Sequence, residues 1–347
     1  MQVAETVRTV FSRRCLCRWD KQPKKGMVIS MDNKQNLALS APHIRRPRDT
    51  RDIMRDVCIA LLPVVAAALW FFRLRALWLL LVTTAACGLT EWVCLRLRKS
   101  GADFDGSAAV TGLLLALSLP AGTNLFAAAL AGIFAIAVVK HLFGGIGHNI
   151  LNPAMAGRAL LMAAWPASLH GYEWADAASS ATPLVLTDRE GLWPMLWGAE
   201  NGSMGETSAL LILLGGAYLL AKGCIRLRMP VACLWSFALF MWIFGGERGL
   251  LTGDAAAQLL SGGLMLGAFF MVTDFTGKPA TFAGELIYAA GIGVLTAVLR
   301  IWGPYPEGMC FAILLMNLAT PLIEYLTRPP VYGTRPALAA APDPARR

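Results

Sequence analysis

Ten apolar stretches between residues 54 and 326 constrain what this chain can fold into. A membrane-spanning helix needs about 20 mainly apolar residues, because the hydrocarbon core of a bilayer is about 30 Å thick. Only 15% of the 347 residues are charged, whereas an average soluble domain has about 25%. Too few charged residues remain to cover a water-exposed surface, so we predict an all-α, polytopic membrane protein. The predicted spans are 54–72, 76–95, 107–120, 122–140, 147–168, 207–221, 229–246, 255–272, 282–301 and 308–326.

Basic residues are concentrated near the N-terminus and on alternate loops. Residues 1–56 contain thirteen Lys and Arg against six Asp and Glu, which gives +7 of the net charge of +9. Basic loops stay in the cytoplasm, and ten crossings place the loops that contain Arg96 and Lys140 on the same side as the N-terminus. Loop 169–206, with six acidic residues against Arg189 alone, then lies outside. We therefore predict that both termini are cytoplasmic. Most of the excess of positive charge lies in the N-terminal tail, which argues against a general nucleic-acid-binding surface.

An internal repeat supports the even number of spans. The sequence Gly112-Leu-Leu-Leu-Ala-Leu in the third span is similar to Gly263-Leu-Met-Leu-Gly-Ala in the eighth, 151 residues later. Five spans separate the copies, so the second half runs in the opposite direction and the halves form an inverted repeat. Chance similarity between apolar stretches is the alternative. The predicted parts are a basic tail 1–52, a first five-helix repeat 53–168, an outer loop 169–206, a second five-helix repeat 207–327 and a C-terminal tail 328–347.

The third and eighth spans are short and interrupted. Pro120 ends the third, while Gly262-Gly263 and Thr273-Asp274 interrupt the eighth. Broken helices in corresponding positions indicate a binding site, because their free backbone groups must face a cavity or a ligand. Packing of half-helices without a ligand is the alternative. Asp274 and Thr273 are candidate ligands for Na⁺, although Asp274 is equally suited to cap the next helix.

A segment rich in serine and alanine, from Asp176 to Thr182, is the most unusual part of the acidic outer loop. Its small polar residues and the following Pro183 are typical of a surface loop. The hydroxyl groups of such a segment can also accept a covalently attached group.

Five segments spread over residues 42–323 resemble the D-type subunit of the Rnf electron-transport complex, RnfD, and its relative, the B-type subunit of the sodium-pumping NADH:quinone reductase. The match keeps the same order along most of the chain and is specific at the level of the family. The matching segments are Pro42–Arg45, Gly106–Pro120, Lys140–Leu160, Gly205–Leu210 and Tyr305–Ile323.

The resemblance implies a covalent flavin in the outer loop. In that family a flavin transferase attaches FMN by a phosphoester to the last threonine of Asp-x-x-Ser/Thr-Gly-Ala-Thr. The corresponding acceptor here is Thr182, with Asp176, Ser179 and Ala181 at motif positions. Ser180 stands where the family usually has glycine, which permits a positive φ or a close approach of the transferase. A tether would hold the flavin at the membrane surface at high effective concentration; a second, noncovalent flavin is left open.

Arg158 lies inside the fifth span, where an unpaired charge is costly. We expect it either to bind the FMN phosphate by charge-assisted hydrogen bonds or to lock a carboxylate or the broken backbone of the third span. Of these, we favour the structural lock.

The resemblance also implies partners, since the sequence has no dinucleotide-binding fingerprint and no cysteine cluster. NADH and iron–sulfur centres would then belong to a ferredoxin-like multi-cluster subunit and an NADH-binding subunit, beside a second flavin-bearing subunit, small membrane subunits and membrane lipid. The whole would be a redox-driven translocase of Na⁺ or H⁺ in a bacterial inner membrane, coupling ferredoxin and NAD⁺ chemistry. This chain would not be catalytic alone.

Two other functions remain open on the sequence. The B-type subunit of the quinone-reducing pump usually has a longer N-terminal region than the stretch before Asp56, and this favours the Rnf-type assignment. The inverted repeat alone also suits a channel or a small-solute transporter. Covalent flavin would favour the redox role, whereas solute flux through the isolated chain would favour the channel.

Overall fold

The computed structural model describes residues 49–98, 104–169, 202–246, 251, 255–303 and 307–329. These residues form ten α-helices and no strand, and they lie within one compact unit, Arg48–Arg347. Each of the ten predicted spans coincides with a helical segment, so the all-α prediction is confirmed. The helices are α1 Thr50–Leu97, α2 Ser107–Leu117, α3 Leu125–Phe134, α4 Pro153–Ala164, α5 Ala209–Ala221, α6 Arg228–Phe244, α7 Ala255–Leu260, α8 Leu264–Leu266, α9 Phe282–Trp302 and α10 Met309–Thr327.

Helix α1 contains the first two predicted spans. At 1.5 Å per residue, a straight helix of its 48 residues would be about 72 Å long, more than twice the hydrocarbon thickness. Inside this helix, Arg73 has non-helical backbone angles (φ 51°, ψ −128°). Glu91, near its end, contacts Lys140, and Lys140 lines the same cavity as Thr50 at its start. The chain therefore reverses at Arg73, and a single residue forms the turn.

The predicted helix breaks are present. Helix α2 has only 11 residues, and three residues separate α7 from α8, with Gly262 at φ +73°. Glycine reaches this left-handed conformation without steric cost. Helices α3 and α8 each continue as a short π-helix, Ala135–His141 and Gly267–Met271. Such π segments occur often at functional sites.

Large apolar side chains cover much of the outer surface. Trp70 and Trp235 are 81% and 70% exposed, and many leucines are exposed beside them. A water-soluble monomer rarely exposes contiguous apolar surface on this scale, so these faces fit contact with lipid. Among the described residues, three helices are long and apolar enough to cross a membrane: α1, α9 and α10.

Small residues allow close helix packing, which is the common way to join helices within a membrane. Helix α9 packs against α6 at Gly293, where a Cβ atom would overlap the Ser236 hydroxyl and the Cys233 carbonyl. We expect Gly293→Ala to lower the melting temperature of the purified protein, because overpacking costs about 1–3 kcal/mol. Gly88→Ala is the matched control, since no atom lies within 4 Å of its Cβ position. Equal melting of the two variants would contradict this packing.

Candidate functional site

Several helix ends meet around a cavity of about 480 Å³. Helices α1, α2 and α4 begin there, and the chain beyond α5 and α8 completes the wall. We call this side of the molecule the Thr50 end. Helix N-termini carry a partial positive charge that favours anions, and cavities of this size hold small organic ligands. The lining includes Thr50, Ser107, Lys140, Asn152, Phe270 and Asp274.

Thr273 and Asp274, the two predicted Na⁺ ligands, both line this cavity. The Asp274 carboxylate accepts hydrogen bonds from the Asn152 amide (3.4 Å) and the Thr276 hydroxyl (3.3 Å). Asn152 in turn caps α4 through its side-chain oxygen. Asp274 thus connects the end of the broken eighth span to the start of α4. Helix α9 is capped by Thr281, not by Asp274.

The charge state of Asp274 is set by opposing effects. Burial raises the pKa of its carboxyl above the usual range, although backbone N–H groups of Thr276 and Phe275 and the charge of Lys278 act in the opposite direction. A bound cation would offset the burial cost of the carboxylate. In the described part of the chain, no group of three or more His, Cys, Asp or Glu residues is arranged to hold a metal ion. A Na⁺ here would thus be bound by one carboxylate and by neutral oxygens.

A buried ionic cluster borders the cavity. Lys140 contacts Glu91 and the Ser107 hydroxyl, and its ammonium lies 3.4 Å from Asp105. Burial raises the pKa of Asp105, but Lys140 and the hydrogen bonds from Ser107 outweigh burial, so the pKa is lowered. His141 Nε2 lies 4.0 Å from Glu91. The cluster fixes α1, α2 and the end of α3 to one another at the Thr50 end.

The opposite side, which we call the Glu307 end, contains the described residues at both ends of loop 169–206. The described chain ends at Leu169 and resumes at Gly202. Residues 203–207 lie against the unwound end of α2. Gly205 N–H donates to the Leu117 carbonyl (2.7 Å), and Met204 N–H donates to the Leu119 carbonyl (3.1 Å). These bonds satisfy carbonyl groups that the short α2 leaves free.

Arg158 forms an ion pair with Glu307 across α4 and the start of α10. Both residues are buried, with 6% and 7% of their surface exposed. A small void beside the pair is lined by Ser118, Ser203 and Gly263. Arg158 therefore joins the two halves of the chain beside both helix breaks.

Arg300 binds the backbone at the break between α7 and α8. Its guanidinium donates to the Gln258 carbonyl (2.7 Å) and the Ser261 carbonyl (3.0 Å). These carbonyls belong to the C-terminal turn of α7, where a cation is electrostatically favoured. The guanidinium also stacks 4.9 Å above the ring of Phe237. Arg300 thus binds the carbonyl groups at the broken end of α7.

The comparisons with known proteins agree with one another. A family model for the NQR2, RnfD and RnfE family matches residues 37–333. The chain belongs to this family. It is 39% identical over 316 residues to the D-type subunit of the proton-translocating ferredoxin:NAD(+) oxidoreductase complex of Clostridium ljungdahlii, covering 85% of this chain and 96% of the relative.

Two further relatives of the NQR2, RnfD and RnfE family cover similar shares. The D-type subunit of the Na(+)-translocating ferredoxin:NAD(+) oxidoreductase complex of Acetobacterium woodii is 42% identical over 314 residues, or 87% of this chain and 96% of the relative. The D-type subunit of the ion-translocating oxidoreductase complex of Stutzerimonas stutzeri is 37% identical over 323 residues, or 81% and 91%. Relatives of comparable identity are named for different ions, so similarity alone does not identify the ion.

The site residues predicted for this NQR2, RnfD and RnfE family member fall into three groups. Asp274 and Thr273 lie together at the Thr50 end, whereas Arg158 lies near the Glu307 end. The residues predicted to attach the flavin lie outside the described part of the chain: Asp176, Ser179, Ser180, Ala181 and Thr182.

The sequence analysis did not identify Glu91, Arg300 or Glu307 as site residues. Glu91 and Arg300 are ionisable residues inside predicted spans, and the criterion that identified Arg158 applies equally to them. Glu307 lies just before the tenth span, and nothing local distinguishes it from an ordinary loop acid. Its role is visible only when Arg158 is placed beside it.

Proposed function

We propose that the chain is a membrane subunit of an ion-translocating ferredoxin:NAD⁺ oxidoreductase of the Rnf type. The observation that carries the proposal is the match of residues 37–333 to the family, together with relatives of that name aligned over nearly their whole length. The ferredoxin-like, NADH-binding, second flavin-bearing and small membrane subunits would supply the other redox centres. The chain would lie in a bacterial inner membrane.

Vesicles that contain the purified complex test this function. Reduced ferredoxin and NAD⁺ should drive ion uptake, and a complex that lacks this subunit should lose it. Uptake driven by NADH and a quinone, without ferredoxin, would instead indicate the sodium-pumping NADH:quinone reductase. Solute flux through the isolated chain, without any redox reaction, would indicate a channel.

We further propose that FMN is bound covalently at Thr182 through a phosphoester. When bound, FMN supplies one- and two-electron transfer, which side chains lack. The loop that contains Thr182 leaves after Leu169 and returns at Gly202, at the Glu307 end. Backbone bonds from Met204 and Gly205 fix the returning end to α2. The described residues on both sides of this loop therefore lie at the Glu307 end.

The orientation and the repeat belong to the same proposal. Both termini would be cytoplasmic, so the Thr50 end would face the cytoplasm and Thr182 the outer side. Basic residues at the Thr50 end, such as Lys222 and Lys278, support this orientation. Broken helices in the third and eighth spans support two inverted five-helix repeats.

A second, noncovalent flavin would fit the cavity at the Thr50 end. Phe270 and Phe275 line it, and the buried side-chain oxygen of Asn149 has no hydrogen-bond partner there. An N–H donor of a ligand would satisfy this acceptor, and aromatic walls suit a planar ring. We expect acid precipitation of the transferase-matured protein to release one flavin and to leave one attached. Release of no flavin would contradict the second site.

For the transported ion, we propose that Asp274 and Thr273 bind Na⁺ at the Thr50 end. Asp274→Asn should then raise the Na⁺ concentration needed for half-maximal ferredoxin:NAD⁺ activity at least tenfold, because the carboxylate is the charged ligand. Glu324→Gln on α10, outside the cavity lining, is the control and should leave this concentration unchanged. Activity that never depends on Na⁺, with or without Asp274, would exclude Na⁺ as the coupling ion.

A further inference from the structure

Three cations surround one buried carboxylate at the Thr50 end. Glu285, in the first turn of α9, has a side chain only 3% exposed and forms an ion pair with Arg228 at the start of α6. Arg226 Nη1 and Lys278 Nζ each lie 3.6 Å from the same carboxylate. One carboxylate neutralises one cation, so a surplus of positive charge remains. The Asp274 carboxylate also interacts electrostatically with Lys278. With Asp274 included, three cations still outnumber two carboxylates.

The three cations differ in exposure, and Arg228 and Lys278 are 25% and 16% exposed. Arg226 has a side chain 64% exposed, while the Glu285 carboxylate points inward. The buried Nε of Arg228 has no hydrogen-bond partner. No side chain caps the N-terminus of α6, because Leu227 occupies the cap position. A helix start carries partial positive charge, and beside arginine it is well suited to bind a phosphate.

Apolar surface adjoins these charges. The Arg228 guanidinium stacks 4.5 Å above the ring of Phe282, which is 62% exposed. Leu227 starts an exposed row on α6 that continues through Val231, Trp235 and Leu239 at helical spacing. From Leu227 to Leu239 this row is about 18 Å long, and half of a hydrocarbon core is about 15 Å thick. The row therefore has the length of an acyl chain and begins where the cations lie.

We propose that Arg226, Arg228 and Lys278 bind the phosphate of an anionic phospholipid, whose acyl chain lies along the exposed row of α6. The adjoining apolar row favours a lipid over free phosphate, which has no group to cover Val231 and Trp235. Basic sites beside membrane helices are a known way to bind acidic headgroups. A lipid bound here would contact α6 and α9 at the point where Glu285 joins them.

Native mass spectrometry of the purified complex tests the site. The complex, in detergent, is given equal amounts of phosphatidylglycerol and phosphatidylcholine, and the retained lipid is measured. We expect preferential retention of phosphatidylglycerol and at least a tenfold loss in the double variant R226Q/R228Q. The single variant Arg226→Gln keeps the pair between Arg228 and Glu285, so it preserves the fold and should show a smaller loss.

Arg96→Gln is the matched control, because Arg96 is an exposed arginine stacked on an aromatic ring at the end of α1, 5.3 Å above Trp92. It should retain phosphatidylglycerol as the wild type does. Equal retention of both lipids, or an equal loss in the control, would overturn the proposal. Displacement of the lipid by millimolar inorganic phosphate would also overturn it, since the site would then bind free phosphate. Unchanged retention in R226Q/R228Q would overturn it as well.

Discussion

Replacing Thr182 by alanine is expected to remove all covalently bound flavin from the chain. Alanine has no hydroxyl, so the phosphoester to FMN cannot form. Protein produced together with its flavin transferase should lose fluorescence on a denaturing gel, and the peptide that ends at Arg189 should lose the added FMN mass. Because a tethered flavin is held at high effective concentration, ferredoxin:NAD⁺ activity of the complex should fall to the background.

Two neighbouring substitutions provide the controls for Thr182. Thr187→Ala removes a hydroxyl five residues away, outside the motif, and should leave the flavin attached. Ser180→Gly introduces the residue usual in the resembled family and should be flavinylated at least as completely, since glycine accepts a positive φ. Flavin that survives in Thr182→Ala and disappears in Ser179→Ala would identify Ser179 as the acceptor.

The helices are predictable from the sequence because each one follows from local composition. Ten apolar runs gave ten helical segments, and Pro120 and Gly262-Gly263 correctly located the breaks. Local pattern fails at Arg73, where we expected a short loop and the structure shows a turn of one residue. Neither proline nor glycine is present there to signal such a turn.

The partners of buried charges are the part that the sequence does not reveal. Arg158 and Glu307 are separated by 149 positions, and Lys140 and Glu91 by 49. Charge neutrality in a low-dielectric interior requires that each buried cation find an anion, but several acids satisfy this requirement equally. Only the packing of α4 against α10 selects Glu307 for Arg158. The identity of the ion is undetermined for a related reason, since Asp274 and its neutral neighbours can serve either Na⁺ or a proton.

Breaking the ion pair between Arg158 and Glu307 is expected to have the largest effect on stability. Glu307→Gln should cost about 3–5 kcal/mol, because Arg158 is left as an uncompensated buried charge. Arg158→Met should destabilise by a similar amount. The double variant R158M/E307M removes both charges and should recover most of the loss, since apolar pairs often replace buried ion pairs without cost. Thermal unfolding of the purified complex in detergent measures all three.

The same variants separate a structural lock from a phosphate-binding role for Arg158. If the arginine only locks Glu307, R158M/E307M should unfold near the wild-type temperature and retain its flavin and its ferredoxin:NAD⁺ activity. If it holds the FMN phosphate, the double variant should be stable yet lose activity, because charge-assisted bonds to the phosphate would be missing. A loss of stability in the double variant equal to the sum of the losses in the two single variants would contradict any pairing. Residues in direct contact must show coupling in a double-mutant cycle.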